Sequence, residues 1–132
     1  MPELLLERGL DEAMKRYCQT ISNAKIQVLY ASVGTVKRFS PNFELSLYRI
    51  LQELIGNILK HSGASSAFVQ SSFQDKVLNF TIEDNGIGFN PQLVTKGTGL
   101  SSIQKRVISM NGTIDIWSKP GNGTIIYLEF VK

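Results

Sequence analysis

The stretch "YRILQELIGNILKHSGA", residues 48–64, decides how the rest of the chain is read. Leu47, Ile50, Leu51, Leu54, Ile55 and Ile58 recur at helical spacing and give residues 42–62 one broad apolar face. Ser40 and Pro41 supply a start, the serine as N-cap and the proline at the first helical position. In "HSGAS", Gly63 supplies the stop as a left-handed C-cap. The other side of the helix is polar. Glu53 and Asn57 are four residues apart, so they stand one above the other. Lys60 falls on the same stripe, and Arg49 extends it by a turn. A carboxylate, an amide oxygen and an ammonium in one line suit a hard cation with a phosphate chain. A solvated helix face is the other reading of the same stripe.

Working outward, strands and helices flank this helix. Residues 9–23 carry Leu10, Ala13, Met14, Tyr17 and Ile21 at helical spacing, and "KIQVLYAS" (25–32) alternates as a strand. Downstream, "SAFVQSSF" (66–73) and "KVLNFTIE" (76–83) read as two strands joined by a turn at Gln74 and Asp75. A loop runs to residue 97. "GLSSIQKRVISMN" (99–111) reads as a helix closed by Gly112. "TIDIWS" (113–118) and "TIIYLEFV" (124–131) form a terminal hairpin around "KPGNG". This order predicts an α/β two-layer sandwich, a mixed sheet with helices on one face.

The bulk numbers fit one globular domain. The chain has 132 residues, 42% hydrophobic and 19% charged. No apolar run approaches the ~18 residues of a membrane span. The N-terminus lacks the basic start and long apolar middle of a signal peptide. Cys18 is the only cysteine, so no internal disulfide can form, which points to a reducing, cytoplasmic setting. The net charge is +3 and the pI about 9.1, with lysines and arginines scattered. An anionic small ligand is compatible with this balance. No aromatic-plus-basic stripe calls for nucleic acid, and no feature calls for membrane contact.

Three further motifs carry potential chemistry. "EDNGIGF" (83–89) ends a strand with an acceptor, Asp84, followed by Gly86 and Gly88, which permit positive φ or close approach of a flat ligand. A plain turn at Asn85–Gly86 is the alternative. "KGTGLSSI" (96–103) runs Gly97, Thr98 and Gly99 into a helix start at Leu100, where free N–H groups attract anions. "GNGT" (121–124) ends on Thr124 and is also a simple hairpin turn.

The joint order is specific where each motif is not. E-x-x-x-N-x-x-K-H on a helix, D-x-G-x-G-F at a strand end, G-T-G-L opening a helix and G-x-G-T before a last strand resemble the ATP-binding domain of sensor histidine kinases. That superfamily (GHKL, the Bergerat ATP-binding fold) includes gyrase, Hsp90 and MutL. "LYRILQELIGNILKHSGAS" looks most like the DesK/NarX/LiaS-type branch, and "MPELLLERGLDEAM" resembles the joining segment before that domain.

The resemblance implies one domain over 1–132, with 1–8 a remnant of the linker from a dimerisation helix. It implies ATP and Mg²⁺ as ligands. Asp84 would accept the adenine amino group, with Gly86 and Gly88 as the wall beside the base. Asn57 would coordinate Mg²⁺, with Glu53 beside it as an ion or water partner or a base. Lys60 would contact phosphate, and His61 would lie near adenine or ribose rather than accept phosphate. Gly97, Thr98, Gly99 and Leu100 would flank the triphosphate, and Thr124 would support Asp84 through a water. The γ-phosphate would pass to a histidine on the dimerisation/phosphoacceptor helix of a parent kinase, which can be membrane-anchored, and onward to a response regulator. The chain itself carries no acceptor helix in this reading. An anti-sigma-factor-type serine kinase, and a non-catalytic nucleotide-binding interaction module, are the competing expectations.

Overall fold

The computed structural model describes residues 3–88 and 100–132. Its elements are α1 (Glu3–Arg8), α2 (Leu10–Ile21), β1 (Gln27–Gly34), α3 (Pro41–His61), β2 (Ser66–Gln74), β3 (Val77–Asp84), α4 (Leu100–Ser109), β4 (Gly112–Ser118) and β5 (Thr124–Val131). The strands form one five-stranded sheet in the order β1-β2-β3-β5-β4. β1 and β2 are parallel, with α3 as their crossover, and every other pair is antiparallel. The mixed two-layer sandwich expected from the sequence is the observed architecture.

The core lies between the sheet's inner face and the helices. Val69, Phe73, Leu78, Phe80, Ile82, Leu128 and Phe130 rise from the sheet. They meet Leu47, Leu51, Leu54, Ile55 and Ile58 of α3, Met14 and Cys18 of α2, and Ile103 and Val107 of α4. Alternation in β2, β3 and β5 buries every second residue, so the register fixes which side chains face the helices.

α3 begins and ends as its sequence dictates. The Ser40 hydroxyl accepts from the Phe43 N–H at 3.4 Å, and Pro41 opens the first turn. Ser62 closes the helix, its N–H donating to the Ile58 carbonyl, and Gly63 turns left-handed.

Residues 3–8 form a helix whose Leu5 is fully buried. One reading needs amendment. The end of α4 is turned by Asn111, at φ 62°, not by Gly112. Gly112 instead opens β4, where a side chain would collide with the Phe130 ring. Asparagine tolerates the left-handed region, so the turn fell one residue earlier than expected. Among the described residues, no helix is long and apolar enough to cross a membrane.

Candidate functional site

Asp84 is the last residue of β3, where the strand meets the end of α3. Its neighbours in the sheet are Ala67 on one side and Thr124 on the other. The inward alternation that buries Leu78, Phe80 and Ile82 carries on to Asp84, so a carboxylate occupies a core-facing position and is 6% exposed. The Gly86 N–H donates to Oδ1 at 2.8 Å. Among the described residues no donor reaches Oδ2. Burial holds the Asp84 carboxyl above its ordinary pKa, the Gly86 N–H opposes that, and the neighbouring Glu83 adds to it.

Asn85 explains the residue that follows. Its side-chain oxygen accepts from the N–H groups of Ser65 (2.9 Å) and Ser66 (3.0 Å), and its amide donates to the Ser65 hydroxyl at 2.9 Å. It staples the end of β3 to the start of β2. Gly86 sits against the end of α3, where any side chain would strike the Ser62 carbonyl and Cβ. The Ile87 N–H completes the junction by donating to that same carbonyl at 2.8 Å. Gly88 has φ 65° and lies against the Lys119 and Gly123 carbonyls, so it needs both the conformation and the missing Cβ. Both glycines are thus required by the chain's own close approaches.

Thr124 is the first residue of β5, buried beside Asp84 on the same face. The Ser118 hydroxyl lies 3.0 Å from the Gly123 carbonyl, to which it donates, and shares a 2.9 Å hydrogen bond with the Thr124 hydroxyl. Sequence reasoning missed Gly123 as a site residue. A side chain there would run into the Asp84 carbonyl, so glycine lets the β4–β5 turn close over the end of β3.

The polar stripe of α3 ends at the same junction. Glu53 is exposed, Asn57 half-buried, and Lys60 and His61 are exposed in the last turn. Glu53 Oε2 lies 2.6 Å from Arg106 Nη2 of α4 as an ion pair. No sequence signal named Arg106, because the partnership arises from α4 lying beside α3. Among the described residues no hydrogen bond or ion pair engages Asn57, Lys60 or His61. Ser62, not His61, makes the capping bonds, with its hydroxyl donating to the Ile58 carbonyl at 2.6 Å. Leu100 is the first residue of α4, whereas Gly97, Thr98 and Gly99 lie outside the described residues.

The donor set suits an adenine nucleotide. A buried carboxylate with one free oxygen can receive an exocyclic amine. One or two oxygens from Asn57 and Glu53 match the few protein ligands that Mg²⁺ takes when phosphates and water supply the rest. Among the described residues, no cluster of three or more His, Cys, Asp or Glu forms a closed metal cage.

Comparison with known proteins bears on this geometry. DegS of Bacillus subtilis, a signal transduction histidine-protein kinase/phosphatase, is 32% identical over 136 residues, covering 97% of this chain and 35% of DegS. NreB of Staphylococcus carnosus, an oxygen sensor histidine kinase, is 32% identical over 131 residues, covering 97% of this chain and 38% of NreB. The chain therefore spans little more than a third of these relatives. The blue-light activated histidine kinase EL346 of Erythrobacter litoralis superposes with TM-score 0.74 at 19% identity, over 92% of this chain and 41% of that one. The model of the "Histidine kinase-, DNA gyrase B-, and HSP90-like ATPase" family matches residues 42–132, which hold α3 from its second residue, Asp84 and Thr124. Over residues 42–132, the chain belongs to that family of ATP-binding domains.

Proposed function

We propose that residues 1–132 are the catalytic domain of a two-component sensor histidine kinase. It binds ATP with Mg²⁺ and presents the γ-phosphate to a histidine on a separate dimerisation domain. α1 continues toward that domain, and a response regulator receives the phosphate afterwards. The domain works in the cytoplasm, whatever anchors the parent protein.

The observation that carries the reading is Asp84, a buried carboxylate with an uncommitted oxygen beside the polar end of α3. Asp84 accepts the adenine amine and so selects the base. Gly86 and Gly88 shape the wall beside it, and Thr124 supports Asp84 through a shared water. Asn57 and Glu53 present oxygens to Mg²⁺, which supplies charge neutralisation on the phosphates. Lys60 contacts phosphate, His61 borders the nucleotide, and Gly97, Thr98, Gly99 and Leu100 flank the triphosphate. The chain's part in phosphoryl transfer is positioning and electrostatics, since the attacking imidazole comes from another domain. The histidine-kinase names of DegS and NreB favour a histidine acceptor over a serine one.

Calorimetric titration with a non-hydrolysable ATP analogue tests the reading. Saturable, Mg²⁺-sensitive binding with no response to GTP is expected, and absence of binding under all conditions would leave an interaction module. Asn57→Ala should weaken binding about tenfold with Mg²⁺ and much less without it. Equal losses in both conditions would remove Asn57 from ion coordination.

A further inference from the structure

We infer that the outward face of the sheet is a docking surface for a protein segment whose apolar side chains are flanked by lysines or arginines. Leu29, Phe68, Glu83, Ile125 and Trp117 are successive cross-strand partners, so they form one row over all five strands. Leu29 and Trp117 are each 56% exposed, Ile125 37% and Phe68 36%. Single exposed apolar residues are ordinary, whereas four aligned in one cross-strand row, two on either side of Glu83, mark a contact surface. The row crosses four gaps of ~4.8 Å, about 19 Å in all.

Charge selects the occupant. None of the five strands contains a lysine or arginine, and their outward positions carry Glu83, Asp115 and Glu129. The chain as a whole is +3, so this acidic bias is local. Glu83 stands in the middle of the row. A purely apolar partner would bury its carboxylate without compensation, so the partner must bring a cation to it. A second copy of the same face would set like charges against each other. An anionic bilayer or a nucleic-acid backbone would be repelled. An amphipathic segment with basic flanks meets both the apolar row and its acidic surroundings.

Trp117 is the only tryptophan of the chain, so its emission reports directly on the row. The probe is a synthetic amphipathic peptide of about 14 residues, long enough as a helix to span the row, with leucine and phenylalanine on one face and lysine on its flanks. Titration into the whole chain should give a saturable blue shift of Trp117 emission. The same peptide with glutamate in place of lysine should give none. Glu83→Lys should weaken binding of the basic peptide about tenfold. Phe68→Ser should weaken it as well, measured by calorimetry, with circular dichroism confirming that both variants fold. The inference is overturned by no shift with the basic peptide or by equal binding of the acidic one. Unchanged affinity in both variants would also overturn it. So would a blue shift that grows with protein concentration alone, which would make the face a contact between copies.

Discussion

At Asp84 the needs of the fold and of the proposed adenine contact oppose one another. A carboxylate on the core side of a strand loses hydration, and one N–H from Gly86 only partly replaces it. Its folded pKa is raised above the unfolded value, so its contribution to stability is fully present below the unfolded pKa of about 3.9 and is lost as pH rises through the folded value. Asp84→Asn keeps the acceptor for Gly86 and removes the charge. It should raise the melting temperature at pH 7, and the gain should shrink as pH falls toward 4. A gain independent of pH would show that ionisation is not its cause. The same variant should lose affinity for the ATP analogue, because an amide cannot match the carboxylate as an acceptor from the amine. Asp84 was legible in the sequence because a charged residue ended an apolar alternation. The second role of Gly86, as the seat for the Ser62 carbonyl, was not, since that approach depends on where α3 stops.

Among the elements, α1 and α3 are joined by a clamp that periodicity could not reveal. Glu44, in the first turn of α3, is 1% exposed. Arg38 holds it at both oxygens, Nε to Oε2 at 3.1 Å and Nη2 to Oε1 at 3.2 Å. The same guanidinium donates to the Glu7 and Leu6 carbonyls at the end of α1, at 3.3 and 3.1 Å. Arg38→Ala should therefore cost about 2 kcal/mol, below the ~3–5 expected for full burial because Arg38 is half open to water and the Phe39 N–H still reaches Glu44. Urea unfolding measures this, and a change under ~0.5 kcal/mol would class the clamp with ordinary surface pairs. The helices and strands themselves were legible, because apolar spacing of 3.6 and 2 is local information. The clamp was not, because Glu44 reads as a first-turn acid that favours a helix start, and its partner sits in a connector.

Over the whole molecule, burial makes the lone cysteine a reporter of unfolding. Cys18 is 1% exposed, and burial pushes its thiol pKa up to about 12. A buried, protonated thiol is a poor nucleophile. Its reaction with an aromatic disulfide reagent should be negligible in the native state and should track global unfolding as urea is added. Fast labelling without urea would mean that α2 opens by itself. Tyr30 opposes such opening: its hydroxyl donates to Asp11 of α2 at 2.7 Å and meets Ser71 of β2 at 2.8 Å. The two-layer architecture was legible from element order, but the strand order was not, because hairpins and crossovers leave the position of the last strand open.

That last strand has a consequence for synthesis. β5 lies between β3 and β4, with Thr124 beside Asp84. A nascent chain that has exposed everything up to β4 still has an open seam through the middle of its sheet. Asp84 then lacks one flank, and the unpaired edges of β3 and β4 can capture a foreign strand. Only when Val131 leaves the exit tunnel can the seam be zipped, so assembly of the Asp84 end of the sheet is postponed to the final act of translation of this segment. A ribosome stalled between residues 118 and 124 would hold a product with most of its helices and no strand to flank Asp84 on the β5 side.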